Sequence, residues 1–316
     1  MIMKTTDDNL WGIDLGGTKI ECAVLNARNP EEVLIRERID TEASLGYTHI
    51  LNQVKKLVDR VSSLLGEYPQ RIGFATPGVL NPRTQTMKNC NTICMNGQPM
   101  AVDLAAILQC EVKLANDANC FALAETLLGA VQDVQPAAEM VFGIIMGTGV
   151  GGGLVAHGKV VNGLHGIGGE WGHNILEEDG LACYCGKSGC VEHVISGPAL
   201  EQFYHLQSGE SKRMPEIMRL YEAKSDPAAI ATVERLLENF GRAVSTIINV
   251  IDPEVIVIGG GLGNIDLLYT EGYNRIRKYI FNSGEVLTPI VKPKLGDSAG
   301  VFGAAPFRPP VFERDP

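Results

Sequence analysis

His173, Cys183, Cys185 and Cys190 follow one another in the spacing H-x9-C-x-C-x4-C. A Cys₃His set is complete for tetrahedral structural zinc, and Gly186 and Gly189 let the chain fold tightly about an ion. Four protein ligands leave no open position for water, so the expected work of such a site is to shape a loop. Glu170 and Glu192 bracket it. Farther upstream, Asp117 stands where a strand gives way to a helix, between Asn116 and Asn119. A helix cap would account for it; catalysis requires in addition that one carboxylate oxygen stay free. Asn91 lies in a polar loop after Gly78. Carboxylates and amides gathered in this way suit a polyhydroxy ligand, since each can take one or two hydroxyls. His165 and His193 show no such partners and read as structural histidines. Cys22, Cys90, Cys94, Cys110 and Cys120 read as small core residues.

Three glycine turns point to phosphate. Asp14-Leu15-Gly16-Gly17-Thr18-Lys19 sets an acid beside glycines whose amides can approach phosphate oxygens. Asp14 could hold Mg²⁺, directly or through water, and Thr18 could donate to a phosphate oxygen. An ordinary hairpin is the competing reading, and no Walker A loop occurs. Gly147-Thr148-Gly149-Val150-Gly151-Gly152 formally matches the dinucleotide fingerprint G-x-G-x-x-G. That fingerprint must open a helix, whereas residues 153–156 read as a strand, so a second phosphate-facing hairpin is expected instead. Gly259-Gly260-Gly261 follows a buried-type strand and is expected either beside a nucleotide or as a close packing turn.

The elements that must position these groups alternate. Short β-prone runs at 10–14, 20–25 and 33–39 precede a helix over 48–65, whose apolar residues recur at helical spacing, and a strand at 71–75. A helix at 101–108, a strand at 111–115 and a helix from Asn116 to about 128 follow. The pattern then restarts with strands at 140–146 and 153–156, so two related halves are expected, with the break near Asn116. The stretch 162–192 has little periodicity and is expected to be functional. An apolar stripe from Ile230 to Ile251 marks a long helix ended by Pro253; a strand at 254–258 and a helix over 265–281 complete the reading.

Composition narrows the classes. The chain has 316 residues, enough for about two domains. Its 27 basic and 37 acidic residues give a net charge of −10, a poor match for nucleic acid or an anionic membrane. No apolar run reaches the ~20 residues that cross a bilayer, and residues 1–9 do not resemble a signal peptide. A reduced, cytoplasmic protein is expected, without a disulfide framework. Glycine stands out: its 36 copies make up about 11% of the chain against a usual ~7%, and most lie in the proposed turns and the zinc loop.

These motifs, in this order, resemble the ROK family of sugar kinases and related repressors. The resemblance runs from about residue 11 to 305 and implies an α/β fold of the actin-like ATPase (ribonuclease H-like) type. Two α/β domains would close over a cleft: a small one over 1–115, rejoined by about 302–316, and a larger one over 116–301 carrying the zinc loop. It implies transfer of phosphate from MgATP to the 6-hydroxyl of a hexose, with Asp117 as general base. Gly78, Asn91, Asn116, Asp117, Glu170, His173 and Glu192 would bind sugar, His173 serving zinc as well. Asp14, Gly16, Gly17, Thr18, Lys19, Gly147, Thr148 and Gly149 would face the phosphates, with Gly260 and Gly261 near the adenosine. A homodimer is also implied. Residues 89–99 and 169–174 look most like bacterial fructokinases that accept mannose; N-acetylglucosamine kinase and glucokinase are the alternatives. A sugar-sensing regulator is disfavoured by the acidic charge and the intact Asp117; a noncatalytic sensor, which would bind sugar without consuming ATP, is a further alternative.

Overall fold

The computed structural model describes residues 4–6, 9–296 and 299–305, so the C-terminal end of the expected 302–316 return lies outside the described residues. The chain divides into two compact units. Unit one comprises Met1–Gln132, Gly158–Gly168 and Leu295–Pro316; unit two comprises Asp133–His157 and Gly169–Lys294. This differs from the division expected at 115/116, which falls inside unit one. The helix after that point packs against the helix Ala299–Ala304 so closely that a Cβ on Gly303 would stand 1.7 Å from the Cys120 carbonyl oxygen.

In unit one, β1 (Asn9–Leu15) and β2 (Lys19–Asn26) form a hairpin closed by the pair Leu15 and Ile20. β3 (Asn29–Asp40) extends it antiparallel, while β4 (Arg71–Thr76) and β5 (Glu111–Asn116) add in parallel on the other side, giving the order β3-β2-β1-β4-β5. The expected periodicity of α1 (Tyr47–Leu65) buries Ile50, Val54, Leu57, Val58 and Val61 against Ile13, Ile20 and Phe74 of this sheet. α2 (Met100–Leu108) and α3 (Asp117–Leu127) each lie beside β5 in the chain. The 299–304 helix crosses β1 and β4. Gly73 makes that approach possible, because a Cβ there would sit 1.6 Å from the Ala304 carbonyl oxygen. Backbone cannot yield as a flexible side chain does. Gly73→Ala is therefore expected to cost about 1–3 kcal/mol or more, read as a lowered urea midpoint at unchanged slope; a wild-type midpoint would refute the close packing.

Unit two repeats the plan. β6 (Met140–Met146) and β7 (Val150–Ala156) form a hairpin closed by Met146 and Val150; β8 (Val255–Gly259) and β9 (Ile290–Val291) add in parallel beyond β6. Helices α4 (Glu192–Ile195), α5 (Gly197–Ser208) and α6 (Met214–Glu222), for which no sequence signal was read, lead into α7 (Pro227–Ile251). Asp226 caps α7 by accepting the Ala228 amide at 2.8 Å, and the helix stops just before Pro253. Its stripe packs Val233, Leu237, Phe240 and Val244 against Ile144, Ile256 and Ile258, although Ile230 stays exposed.

Two expectations are corrected. Val150, Gly151 and Gly152 belong to strand β7 and not to the turn. Packing demands them there: a Cβ on Gly152 would lie 2.5 Å from the Trp171 ring. The helix expected over 265–281 shrinks to α8 (Glu271–Ile276). Asn249 on α7 ends it, accepting the Phe281 amide at 2.8 Å and donating to the Tyr279 carbonyl at 3.1 Å. Among the described residues, no helix is long and apolar enough to cross a membrane.

Candidate active site

In unit one the parallel strands β1, β4 and β5 deliver Asp14, Pro77 and Asn116-Asp117 at their carboxyl ends, the edge where open α/β sheets bind ligands. Gly16, Gly17, Asn91 and Asp117 line one pocket of about 660 Å³. Ala43, Ser44, Pro77, Thr92, Ile93 and Cys94 complete its wall, and sequence reasoning missed all six. Gly78 is absent from that wall; it packs beneath, where a Cβ would meet Cys90 Sγ at 2.4 Å.

The Gly16–Lys19 turn is held from behind. Thr41, fully buried, donates its hydroxyl to the Gly16 carbonyl at 2.7 Å and its amide to the Thr18 carbonyl at 2.8 Å. Gly16 N–H is used within the turn, on the Lys19 carbonyl at 3.0 Å. With its carbonyls engaged, the turn can offer the Gly17 and Thr18 amides to an anion. Thr18 and Lys19 are exposed, and Lys19 pairs with Asp40 at the start of β2.

Asn116 caps α3, its Oδ1 accepting the Ala118 amide at 2.9 Å, which leaves its NH₂ as a donor. Asp117 Oδ1 accepts the same amide at 2.8 Å. The capping bond does not use Oδ2, which is the condition that capping and catalysis require together, while the Asn116 side chain also hydrogen-bonds the carboxylate. Asp117 is exposed to the pocket, yet the protein atoms crowded around its carboxyl keep enough water away to push it above the usual range despite the Ala118 and Asn116 hydrogen bonds. Asp14 is pushed up to about 6, first by burial and then by the Asp117 and Glu21 carboxylates. Arg38 offsets this only in part, and a divalent cation would favour the charged carboxylate further. Asn91 is placed by Asn96, which accepts the Cys90 amide at 2.8 Å and donates to the Cys90 carbonyl at 3.1 Å.

In unit two the four zinc-type ligand atoms of His173, Cys183, Cys185 and Cys190 lie within 4.8 Å of one another. His173 Nδ1 is 3.6 Å from Cys183 Sγ, and Cys185 Sγ is 3.6 Å from Cys190 Sγ. Tetrahedral Zn–S and Zn–N bonds imply ligand–ligand edges of roughly 3.4–3.8 Å, so the residues fit the metal. The knuckle forms because Cys183 donates its amide to Lys187 at 2.7 Å, and Gly186 takes the left-handed φ of +89°. Burial also lowers the His173 pKa, favouring the neutral ring that a metal needs.

The other face of that ring looks elsewhere. Tyr184, between the two knuckle cysteines and missed in the sequence, stands edge-on to His173 with its hydroxyl 3.0 Å from Nε2. Burial and the nearby Glu192, Cys183 and Glu170 push that hydroxyl up to about 12. Glu170, Tyr184, His173 and Glu192 thus share one neighbourhood. Beside it, Gly260 has φ +80° and a virtual Cβ 2.3 Å from the Met146 carbonyl, seating the β8 turn against the Gly147 turn; a Cβ on Gly261 would meet nothing within 4 Å.

A model of the ROK family matches residues 10–308. The chain belongs to the ROK family. Among ROK relatives, an N-acetyl-D-glucosamine kinase of Vibrio vulnificus is 35% identical over 311 residues, spanning 93% of this chain and 97% of that protein. The crystal structure of a ROK hexokinase from Thermus thermophilus is 31% identical with a TM-score of 0.83, covering 94% of this chain and 96% of that one. A ROK glucokinase from Streptomyces griseus, solved with glucose and AMPPNP, reaches a TM-score of 0.75 at 24% identity over 94% of this chain and 98% of its own, and speaks for the fold alone. The α/β, actin-like ATPase architecture expected from the ROK resemblance is the one found.

Proposed function

We propose that this ROK protein is an ATP-dependent hexose kinase acting on the sugar 6-hydroxyl. One observation carries the reading: a carboxylate with an oxygen outside its capping bond, Asp117, lines the same pocket as the Gly16–Gly17 turn. Phosphoryl transfer depends mainly on positioning and on neutralising phosphate charge. Asp117 Oδ2 takes the proton of the attacking hydroxyl. The Gly17 and Thr18 amides, and the Thr148 and Gly149 amides, are the proposed phosphate donors. Asp14 holds Mg²⁺, which when bound spreads the charge of the phosphate oxygens. Asn91, Asn116, Glu170, His173 and Glu192 take sugar hydroxyls, the sugar displacing the Tyr184 hydroxyl from His173 Nε2, and the zinc ligands keep His173 and Glu192 in place. Gly260 and Gly261 lie on the adenosine side.

Fructose or mannose is the proposed acceptor, on the resemblance of Asn89-Cys90-Asn91-Thr92 with Asn96-Gly97-Gln98-Pro99 to fructokinases. N-acetylglucosamine is the second reading, favoured by the name of the Vibrio relative. Coupled ADP release across a panel of hexoses separates them. The fastest turnover is expected with fructose or mannose. Turnover confined to N-acetylglucosamine overturns the acceptor; ADP release independent of any sugar, or sugar binding without ADP release, overturns the kinase.

A further inference from the structure

Glu192, proposed above as a sugar ligand, already has one oxygen engaged. Its Oε2 accepts the Val150 amide at 3.0 Å, and a Cβ on Gly149 would stand 2.5 Å from that oxygen. Val150 closes the Gly147–Gly149 turn through its pairing with Met146. The rest of the turn is gripped as well: Gly147 N–H donates to the Gly149 carbonyl at 2.9 Å, and Gly197 N–H to the Gly147 carbonyl at 2.8 Å. From the zinc loop, Gly172 presses on the Val150 carbonyl, which a Cβ there would approach to 1.9 Å. These bonds leave the Thr148 and Gly149 amides as the donors that the turn can present.

We infer that Glu192 is a positioning residue for the phosphate turn: through Oε2 it fixes Val150, and so aims the Thr148 and Gly149 amides, while Oε1 serves the sugar. The inference rests on the kinase reading for the nature of the anion. A carboxylate is an unfavourable neighbour for phosphate by charge alone. Its hydrogen bond and its charge therefore act in opposite directions, and a carboxamide keeps the first while removing the second.

The test uses zinc-loaded full-length protein, Mg-AMPPNP as the probe, and no sugar. By calorimetry, Glu192→Ala is expected to bind the nucleotide about tenfold more weakly, the size of one charge-assisted hydrogen bond. Glu192→Gln should bind it as well as wild type or better. Both variants should weaken sugar binding. Wild-type nucleotide affinity in Glu192→Ala, or equal losses in the two variants, overturns the positioning role. Amide exchange across residues 147–150 reads the same bond without a ligand, and should quicken in Glu192→Ala and be restored in Glu192→Gln. Unchanged exchange in Glu192→Ala overturns the inference by itself, whereas absence of nucleotide binding in every protein, wild type included, overturns the kinase reading instead.

Discussion

Asp117→Asn is expected to lower kcat by about 10²–10⁴-fold, the usual share of a positioned proton acceptor, while sugar affinity stays within a few-fold of wild type. The geometry allows this separation. In the variant the carboxamide oxygen can still accept the Ala118 amide that Asp117 Oδ1 holds at 2.8 Å, so the start of α3 is kept. The atom that changes is the one outside that bond: Oδ2, the proposed acceptor, becomes an NH₂ donor. Because burial raises the Asp117 pKa, the wild-type rate should fall as pH drops through a value above the ~3.9 of an unperturbed aspartate. That acid limb should vanish from the residual rate of the variant. The stability effect runs the other way. A carboxyl whose folded pKa lies above its unfolded value opposes folding once pH exceeds the unfolded value, so at pH 7 Asp117→Asn should melt no lower than wild type. Steady-state rates from pH 5 to 8 with a thermal melt decide it; full activity in the variant removes Asp117 as the base.

How much of this site could be read from the residues depends on the range of the interactions. The hairpin turns, the stripe of α7 and the Cys₃His spacing are local patterns, so Asp14, Gly16, Gly17 and the four zinc ligands stood out in the chain. Thr41 did not. It lies 25 residues from Gly16, inside no motif, and only the return of β3 beside β2 brings its hydroxyl under the turn. Thr92 and Ile93 reach the pocket through a loop folded by Asn96, and nothing in their types signals it. Tyr184 was hidden differently: it stands between two metal ligands in the chain, and only the folded loop brings its hydroxyl to the ring nitrogen facing away from the sulfurs.

Glycine misled where one residue type serves two purposes. Gly16 and Gly17 form a turn, as expected, but Gly152, Gly73 and Gly303 are small because another segment lies where a side chain would go. Gly300 and Gly303 are explained by the close seat of the 299–304 helix. Its Gly300 faces Asp14, with a virtual Cβ 2.9 Å from Oδ2. Tertiary contacts of this kind leave no period in the sequence.

Removal of zinc should have the other large effect, and its reach should be local. Cys190 is fully buried and Cys183 nearly so, and Cys190 bridges to Ile175 across the loop. Without the ion, burial pushes the Cys190 thiol up to about 12, whereas hydrogen bonds from Lys187 and the neighbouring cysteines hold Cys185 below the usual thiol range, so zinc would return to Cys190 by displacing a proton. Retention should therefore weaken as pH falls. Two residues beyond Cys190 in the chain is Glu192, tied to Val150, and His173 opens the loop, so loosening 173–190 disturbs both proposed sugar contacts at once. The cores of the two units rest mainly on other elements: β6 is buried by α7 and β1 by α1, with Leu176 the loop's own contribution. Metal analysis should find one zinc per chain. Chelation should cut sugar binding and turnover by roughly 10²-fold, the upper range for disturbing the support of a metal site. Faster amide exchange should be confined to the loop and its neighbours, with the far-ultraviolet circular dichroism kept. Cys190→Ser should reproduce the losses without a chelator. A zinc-free protein with wild-type turnover and an unaltered loop would end the structural role of the metal.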